Sequence, residues 1–137
     1  MKVITLIGLT QCGKTTIITD VFKEICLNGA KEHVFLEEGN DKKDFKALVT
    51  FNGKKIAFNS IGYIADKGHL YSEYILSGIV FASEKEADIL INTYTEPFPE
   101  FSQAVYENII GKNNLFTVSV SKTSNSNAIK NQIISML

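Results

Sequence analysis

The segment GLTQCGKTT (residues 8–16) follows the apolar run VITLI (residues 3–7) and matches the pattern G-x-x-x-x-G-K-[ST] at every fixed position. The apolar run predicts a short strand that is buried on both faces. Residues 14–28 place apolar side chains at the spacing of one helix face, and an Asn-Gly pair marks the end of that helix. Between a strand and a helix N-terminus, glycines at positions 8 and 13 allow backbone N–H groups to close around an anion. The segment therefore predicts a phosphate-binding loop.

Beyond this segment, predicted strands and helices alternate along the chain. Strands are predicted at residues 33–37, 88–92 and 115–120, and helices at residues 69–83, 100–110 and 126–136. Asn52-Gly53 joins the apolar runs 45–51 and 54–60, which is the sequence signal of a hairpin. The pattern predicts an α/β fold: a three-layer α/β/α sandwich with a mostly parallel sheet and an antiparallel hairpin (residues 45–60), whose added strand lies at one edge. Because no linker or repeat divides the chain, residues 1–137 are predicted to form one domain.

Composition limits the classes of function. The net charge is −1, which does not favour a nucleic-acid partner. No apolar run is long enough to span a membrane, and two cysteines do not suggest a disulfide scaffold, so a cytoplasmic location is expected. All 14 basic residues are lysines. The chain therefore lacks the side chain that clamps phosphates in a bidentate manner.

The residue types of the 8–16 segment suit a nucleotide. Lys14 can reach the β- and γ-phosphates, and the Thr15 hydroxyl can ligate Mg²⁺. The groups that would surround the phosphates belong to Gly8, Gln11, Cys12, Gly13, Lys14, Thr15 and Thr16. On these residues the chain resembles the P-loop NTPase superfamily, and the resemblance implies binding of Mg²⁺ together with ATP or GTP. The alternative is a glycine-rich strand-to-helix turn that binds no ligand.

P-loop enzymes usually support the metal shell with an Asp at the end of a second strand. The predicted hairpin leads into residues 59–62, NSIG, which resemble Asp-x-x-Gly of Ras-type small GTPases but carry Asn59 at the Asp position. A neutral asparagine holds a cation less strongly than a carboxylate. Asp66, or Glu37 and Glu38, could supply a carboxylate instead, although each also fits an ordinary surface acid. Lys14, Asn59 and Asp66 are therefore the predicted catalytic residues.

The guanine-reading motif of small GTPases, Asn-Lys-x-Asp, has no counterpart here. After the predicted strand 88–92 the chain reads TYT, without the lysine or the aspartate, so the choice between ATP and GTP stays open. Tyr94 and Phe98 are expected to pack in the core or to anchor a loop, with stacking on a base or acceptor as the alternative. Functional residues should gather where parallel strands end, near Gly8, Glu37, Asn59, Asn92 and Ser121.

Three functions are compatible with these observations. The first, which we expect, is a weak or partner-dependent NTPase, in which a protein partner supplies the missing arginine. The second is a small-molecule or nucleotide kinase, similar to nucleotide and metabolite kinases, with Glu37 and Glu38 facing the acceptor. The third is a nucleotide-dependent interaction module without efficient catalysis. The absence of arginine and the asparagine at position 59 favour the third function over the second.

Overall fold

Apolar runs rich in Ile, Leu and Val form the central strands of the molecule. The computed structural model describes residues 1–38, 44–60, 71–98 and 101–137. Within these ranges lie six strands and four α-helices: β1 (Lys2–Leu9), α1 (Lys14–Leu27), β2 (Lys31–Glu38), β3 (Asp44–Phe51), β4 (Lys54–Asn59), α2 (Tyr71–Glu84), β5 (Ile89–Glu96), α3 (Gln103–Ile110), β6 (Leu115–Ser119) and α4 (Ser126–Ser135).

The strands form one sheet in the order β2-β3-β4-β5-β1-β6. Strands β4, β5, β1 and β6 are parallel to one another, whereas β3 is antiparallel to both β2 and β4. The hairpin turn falls at Asn52 and Gly53, which both adopt positive φ, as such a turn requires. The structure thus confirms the α/β class, the mostly parallel sheet and the antiparallel hairpin.

Strand β2, rather than a strand of the hairpin, forms the edge of the sheet next to β3. The expectation that the hairpin strand lies at an edge is wrong, because β2 pairs with β3 from Lys31↔Thr50 to Glu38↔Asp44. The ring of Phe35 in β2 stacks on Phe45 of β3 with centroids 5.4 Å apart, and lies 5.5 Å from Phe22 of α1. This aromatic contact gives β2 apolar surface to bury, so the pairing extends one strand beyond the hairpin.

Successive residues of each strand point to opposite faces of the sheet. Ile4 and Leu6 of β1 pack in a cluster with apolar residues of α1 and α4. Val3 packs instead with residues of α2, and Tyr94 of β5 packs with Tyr106 of α3. The strands therefore supply one set of side chains to α1 and α4 and the other set to α2 and α3. Of the helices in the described ranges, none has the length and apolar character that crossing a membrane would need.

Strand β5 is longer than the sequence pattern indicates, and its length changes the position of Asn92. The predicted strand 88–92 would end at Asn92, but β5 pairs with β1 from Lys2↔Ile89 to Leu9↔Glu96. Asn92 therefore lies mid-strand, fully buried, opposite Thr5. Its Oδ1 accepts a hydrogen bond from Thr5 Oγ1 (2.6 Å), and its Nδ2 donates to Tyr106 Oη (2.8 Å). The residue at the end of β5 is Glu96.

Candidate functional site

The 8–16 segment connects the end of β1 to the first turn of α1 and depends on two glycines for different reasons. A Cβ on Gly8 would collide with the backbone carbonyl oxygen of Val120 and would lie 2.7 Å from Cys12 Sγ. Gly13 has room for a Cβ, but its φ of 102° lies in the left-handed region that side chains disfavour. The backbone of this segment therefore requires glycine at positions 8 and 13.

The N-terminus of α1 has no capping side chain. Gly13 occupies the N-cap position, and no acidic residue lies in the first turn. The first N–H groups of a helix have no partner within the helix, and the helix dipole favours a negative charge there. Gln11 and Thr16 are exposed beside this terminus, Thr15 is half-buried, and Cys12 is buried. An anion is the chemical group that this helix terminus suits.

Lys14 places a buried cation inside the same turn. Its side chain is 5% exposed, and its Nζ donates to the carbonyl oxygens of Leu9 (2.7 Å) and Gly8 (3.0 Å) and to Cys12 Sγ (3.5 Å). No carboxylate in the described part of the chain forms a salt bridge with it. Burial lowers the pKa of Lys14, while contact with Cys12 and the charge of Glu96 oppose that shift.

Glu96 is a residue that the sequence patterns missed. It pairs with Leu9 at the end of β5, in the strand next to β1, and its side chain is exposed. Its charge acts on Lys14, which places a carboxylate beside the 8–16 segment. The signal was the continued β-branched and aromatic character of Thr93-Tyr94-Thr95, which extends the strand as far as Pro97.

Asn59 lies at the end of β4, but β5 separates that strand from β1. Two strand spacings put it about 10 Å from β1 across the sheet. Its side chain is fully buried and packs against α2, where Nδ2 donates to the carbonyl oxygen of Tyr74 (3.3 Å). A Cβ on Gly78 of α2 would collide with the Asn59 side chain. Asn59 Oδ1 has no hydrogen-bond partner among the residues that the structure describes. Asp66, the other predicted catalytic residue, lies outside the described residues.

The structure does not bring Glu37 and Glu38 to the 8–16 segment. Both belong to β2, at the edge of the sheet, where Glu37 is exposed. Strands β3, β4 and β5 stand between β2 and β1, a separation of about 19 Å at the usual strand spacing.

An open cleft of about 370 Å³ lies beside the segment, where β5 ends and α3 begins. Its walls include Leu9, Glu96, Pro97, Phe98, Ser102 and Gln103, together with the buried Tyr94 and Phe101. The hydroxyl of Tyr94 donates to the carbonyl oxygen of Phe101 (2.8 Å), which fixes that ring within the core. Phe98 is half-buried, with its ring centroid 4.7 Å from that of Tyr94.

Among the residues with described positions, no group of three or more His, Cys, Asp and Glu side chains could hold a metal ion.

Comparisons of the chain with known protein families, with characterised proteins and with solved structures give no match. Inferences about its function therefore rest on the geometry of the 8–16 segment and its surroundings.

Proposed function

We propose that this chain is a P-loop NTPase-like protein with a three-layer α/β/α fold, and that the 8–16 segment binds a Mg²⁺–nucleoside triphosphate. The observation that carries the proposal is the buried Lys14 ammonium, which has backbone carbonyls and a thiol as its partners beside an uncapped helix terminus. Burying a cation is costly unless a negative charge compensates for it. A polyphosphate would supply that charge and accept hydrogen bonds from the uncapped N–H groups.

Seven of the nine residues of the segment have a role under this proposal. Gly8 and Gly13 allow the backbone to follow the path of the loop. Gln11, Cys12 and Thr16 supply backbone N–H groups to the phosphates or protein surface next to them. Lys14 neutralises the β- and γ-phosphates, and Thr15 ligates Mg²⁺ through its hydroxyl. The bound Mg²⁺ would screen phosphate charge. A site with few protein ligands suits Mg²⁺, because this ion keeps several waters and takes further oxygens from the nucleotide.

The reaction that we propose is slow or partner-dependent hydrolysis of the terminal phosphate. The chain contains no arginine, and Asn59 offers a neutral amide whose Nδ2 is bonded to Tyr74 of α2. Neither feature supplies the charge that fast phosphoryl transfer needs. A kinase that uses Glu37 and Glu38 finds no support, since these residues lie on the far edge of the sheet. A cytoplasmic location and a protein partner remain parts of the proposal.

Thermal unfolding with ligands tests nucleotide binding. Mg²⁺ with ATP, GTP, the two diphosphates or tripolyphosphate should raise the melting temperature of the wild type by on the order of 10 °C at a hundredfold excess over Kd. Lys14→Ala should lose this stabilisation. Lys23→Ala should retain it, because Lys23 is exposed on the same helix and provides the matched control.

No increase with any triphosphate at millimolar concentration would refute the proposal. Phosphate release from a bound triphosphate, followed over hours, separates a slow hydrolase from a module that binds the nucleotide without using it.

A further inference from the structure

The sheet has two edge strands, β2 and β6, and only one of them is protected against pairing with a further strand. Strand β2 carries charged residues at Lys31, Glu32 and Glu37, and a bulge interrupts its pairing between Glu32 and Val34. Charges and bulges are the means by which natural sheets protect an exposed edge. The residues of β6, LFTVS (115–119), are uncharged, include no proline and pair with β1 in an unbroken register. Strand β6 is therefore the unprotected edge.

The backbone of β6 presents hydrogen-bonding groups on its outer side. The N–H of Val120, directly after the strand, donates to the carbonyl oxygen of Ile7 in β1 (2.8 Å). The N–H and C=O of one strand residue point to the same side, and that side alternates from residue to residue. Leu115, Thr117 and Ser119 therefore direct their backbone groups away from β1, where the described part of the chain places no further strand.

Side chains are accessible on both faces of the sheet at this edge. Phe116 and Val118 share the face that α1 and α4 cover, because they pair with residues of β1 that pack against those helices. Val118 is buried there, but Phe116 is 43% exposed. On the opposite face, the side chains of Thr117 and Ser119 are exposed. The helices in the described ranges thus leave the edge of β6 open to a further strand.

We propose that β6 is a dimer interface, at which β6 of a second copy of this chain adds in the antiparallel direction and continues the sheet. The outward-facing residues lie symmetrically about Thr117, as a two-fold axis through that residue requires. Thr117 then exchanges two hydrogen bonds with its own counterpart, and Leu115 exchanges two with Ser119 of the second copy. Phe116 lies opposite Val118 at the closer, non-hydrogen-bonded spacing.

The side chains explain why the added strand is a second copy. Across the axis, Thr117 meets threonine, and the exposed ring of Phe116 meets β-branched Val118 once on each side, which are favourable cross-strand pairs. No like charges lie opposite each other within the strand pair, because β6 has no charged residue. A pair of five-residue strands is small for a stable dimer, so we expect a Kd on the order of 10–100 µM. The dimer is independent of the nucleotide binding proposed above.

Sedimentation equilibrium and amide hydrogen exchange of the full chain, both without nucleotide, test the interface. The average mass should rise from that of one chain towards that of two between low micromolar and millimolar concentration. Over the same range, the N–H groups of Leu115, Thr117 and Ser119 should exchange several-fold more slowly as the dimer forms. The N–H groups of Phe116 and Val118, which face β1, should be protected at every concentration. A single-chain mass at millimolar concentration would overturn the proposal.

Substitutions at Thr117 test the axis, because this residue meets its own counterpart there. Thr117→Lys and Thr117→Glu should each weaken the dimer several-fold, since like charges then lie opposite each other. An equimolar mixture of the two variants should associate at least as tightly as the wild type, which misfolded variants would not do. Leu36→Lys, at an exposed position of the other edge strand, is the matched control and should dimerise as the wild type does.

Thr117→Pro tests the backbone hydrogen bonds of the interface. Proline removes an N–H that points away from β1, so the pairing of β6 within the chain is retained and urea titration should show a folded protein. The dependence of mass and of amide exchange on concentration should disappear. A dimer that persists in Thr117→Pro, or a mixture of Thr117→Lys and Thr117→Glu that stays monomeric, would refute the interface. Loss of the dimer in Leu36→Lys would assign it to β2 instead.

Discussion

Two groups of buried polar side chains make contacts with β1, one at the middle of the strand and one at its end, and they differ in charge and in the partners of their hydrogen bonds. At mid-strand, Thr5, Asn92 and Tyr106 are fully buried, neutral and bonded to one another at 2.6–3.1 Å. At the end of the strand, the buried Lys14 donates to two backbone carbonyl oxygens and to Cys12 Sγ and forms no salt bridge with a carboxylate among the described residues. Neutral groups that satisfy one another indicate a structural role, whereas a buried cation that has hydrogen bonds but no ion pair favours an anionic ligand. Burial of polar residues alone does not distinguish the two.

Asn59 shares features with both groups, because it is buried and neutral but has one polar atom without a partner among the described residues. Its substitution is the test with the largest expected effect on stability. Its Nδ2 donates to the carbonyl oxygen of Tyr74, and its Oδ1 has no partner within the described part of the chain. Asn59→Asp replaces the donor with a buried carboxylate oxygen, so the free energy of unfolding should fall by about 3–4 kcal/mol in urea titrations. Phosphate release should not increase, because the side chain packs against α2.

Asn113→Asp, at an exposed position of the short 3₁₀-helix Lys112–Asn114, is the matched control and should change stability by less than about 0.5 kcal/mol. A higher rate of phosphate release in Asn59→Asp would instead assign residue 59 to the metal shell.

Asn92→Leu tests whether the cluster of Thr5, Asn92 and Tyr106 has a structural role only. The change removes both amide contacts and leaves the hydroxyls of Thr5 and Tyr106 to each other, 2.6 Å apart. The free energy of unfolding should fall by about 2–3 kcal/mol, while the affinity of the folded protein for tripolyphosphate stays at the wild-type value. Urea titration and calorimetry measure the two quantities separately. Loss of tripolyphosphate affinity in the folded variant would show that this cluster belongs to the binding site.

The sequence predicts the parts of this arrangement that depend on local chemistry. The pattern of glycines, Lys14 and Thr15 specifies the turn into α1, and Asn52-Gly53 specifies the hairpin, because both rest on backbone preferences of a few residues. The place of Glu96 depends on how far β5 pairs with β1, which is a contact between distant parts of the chain. The insertion of β5 between β4 and β1 likewise follows from strand order, which local patterns do not contain.

The difference between local patterns, which the sequence contains, and strand order, which it does not, also applies to the candidate site. Asn59, Glu37 and Glu38 were assigned from the ends of neighbouring segments in sequence, but strand order separates them from the 8–16 segment. The cleft combines residues of β1, β5 and α3, so no single stretch of sequence could indicate it. Prediction from sequence is therefore strongest for the loop and weakest for what surrounds it.

The smallest expected effect is the change of the free energy of unfolding with pH, to which the protonation of Lys14 contributes. Burial holds the pKa of Lys14 below its ordinary value of 10.5 in the folded protein. Below that lowered pKa, the folded and unfolded chains are both protonated at this residue, and the full cost of the buried charge is present. As the pH rises from the lowered value towards 10.5, the unfolded chain binds more protons than the folded chain, so the free energy of unfolding increases.

The wild type should therefore gain stability over this interval relative to Lys14→Met, while Lys23→Met follows the wild type. Urea titrations of the three proteins at several pH values measure the difference, in which the other ionisable groups cancel. Bound tripolyphosphate should favour the charged ammonium and reduce the slope, and its affinity should fall as the ammonium loses its proton. If the slope were unchanged by tripolyphosphate, Lys14 would be a buried cation with a structural role, and the contrast with the Asn92 cluster would disappear.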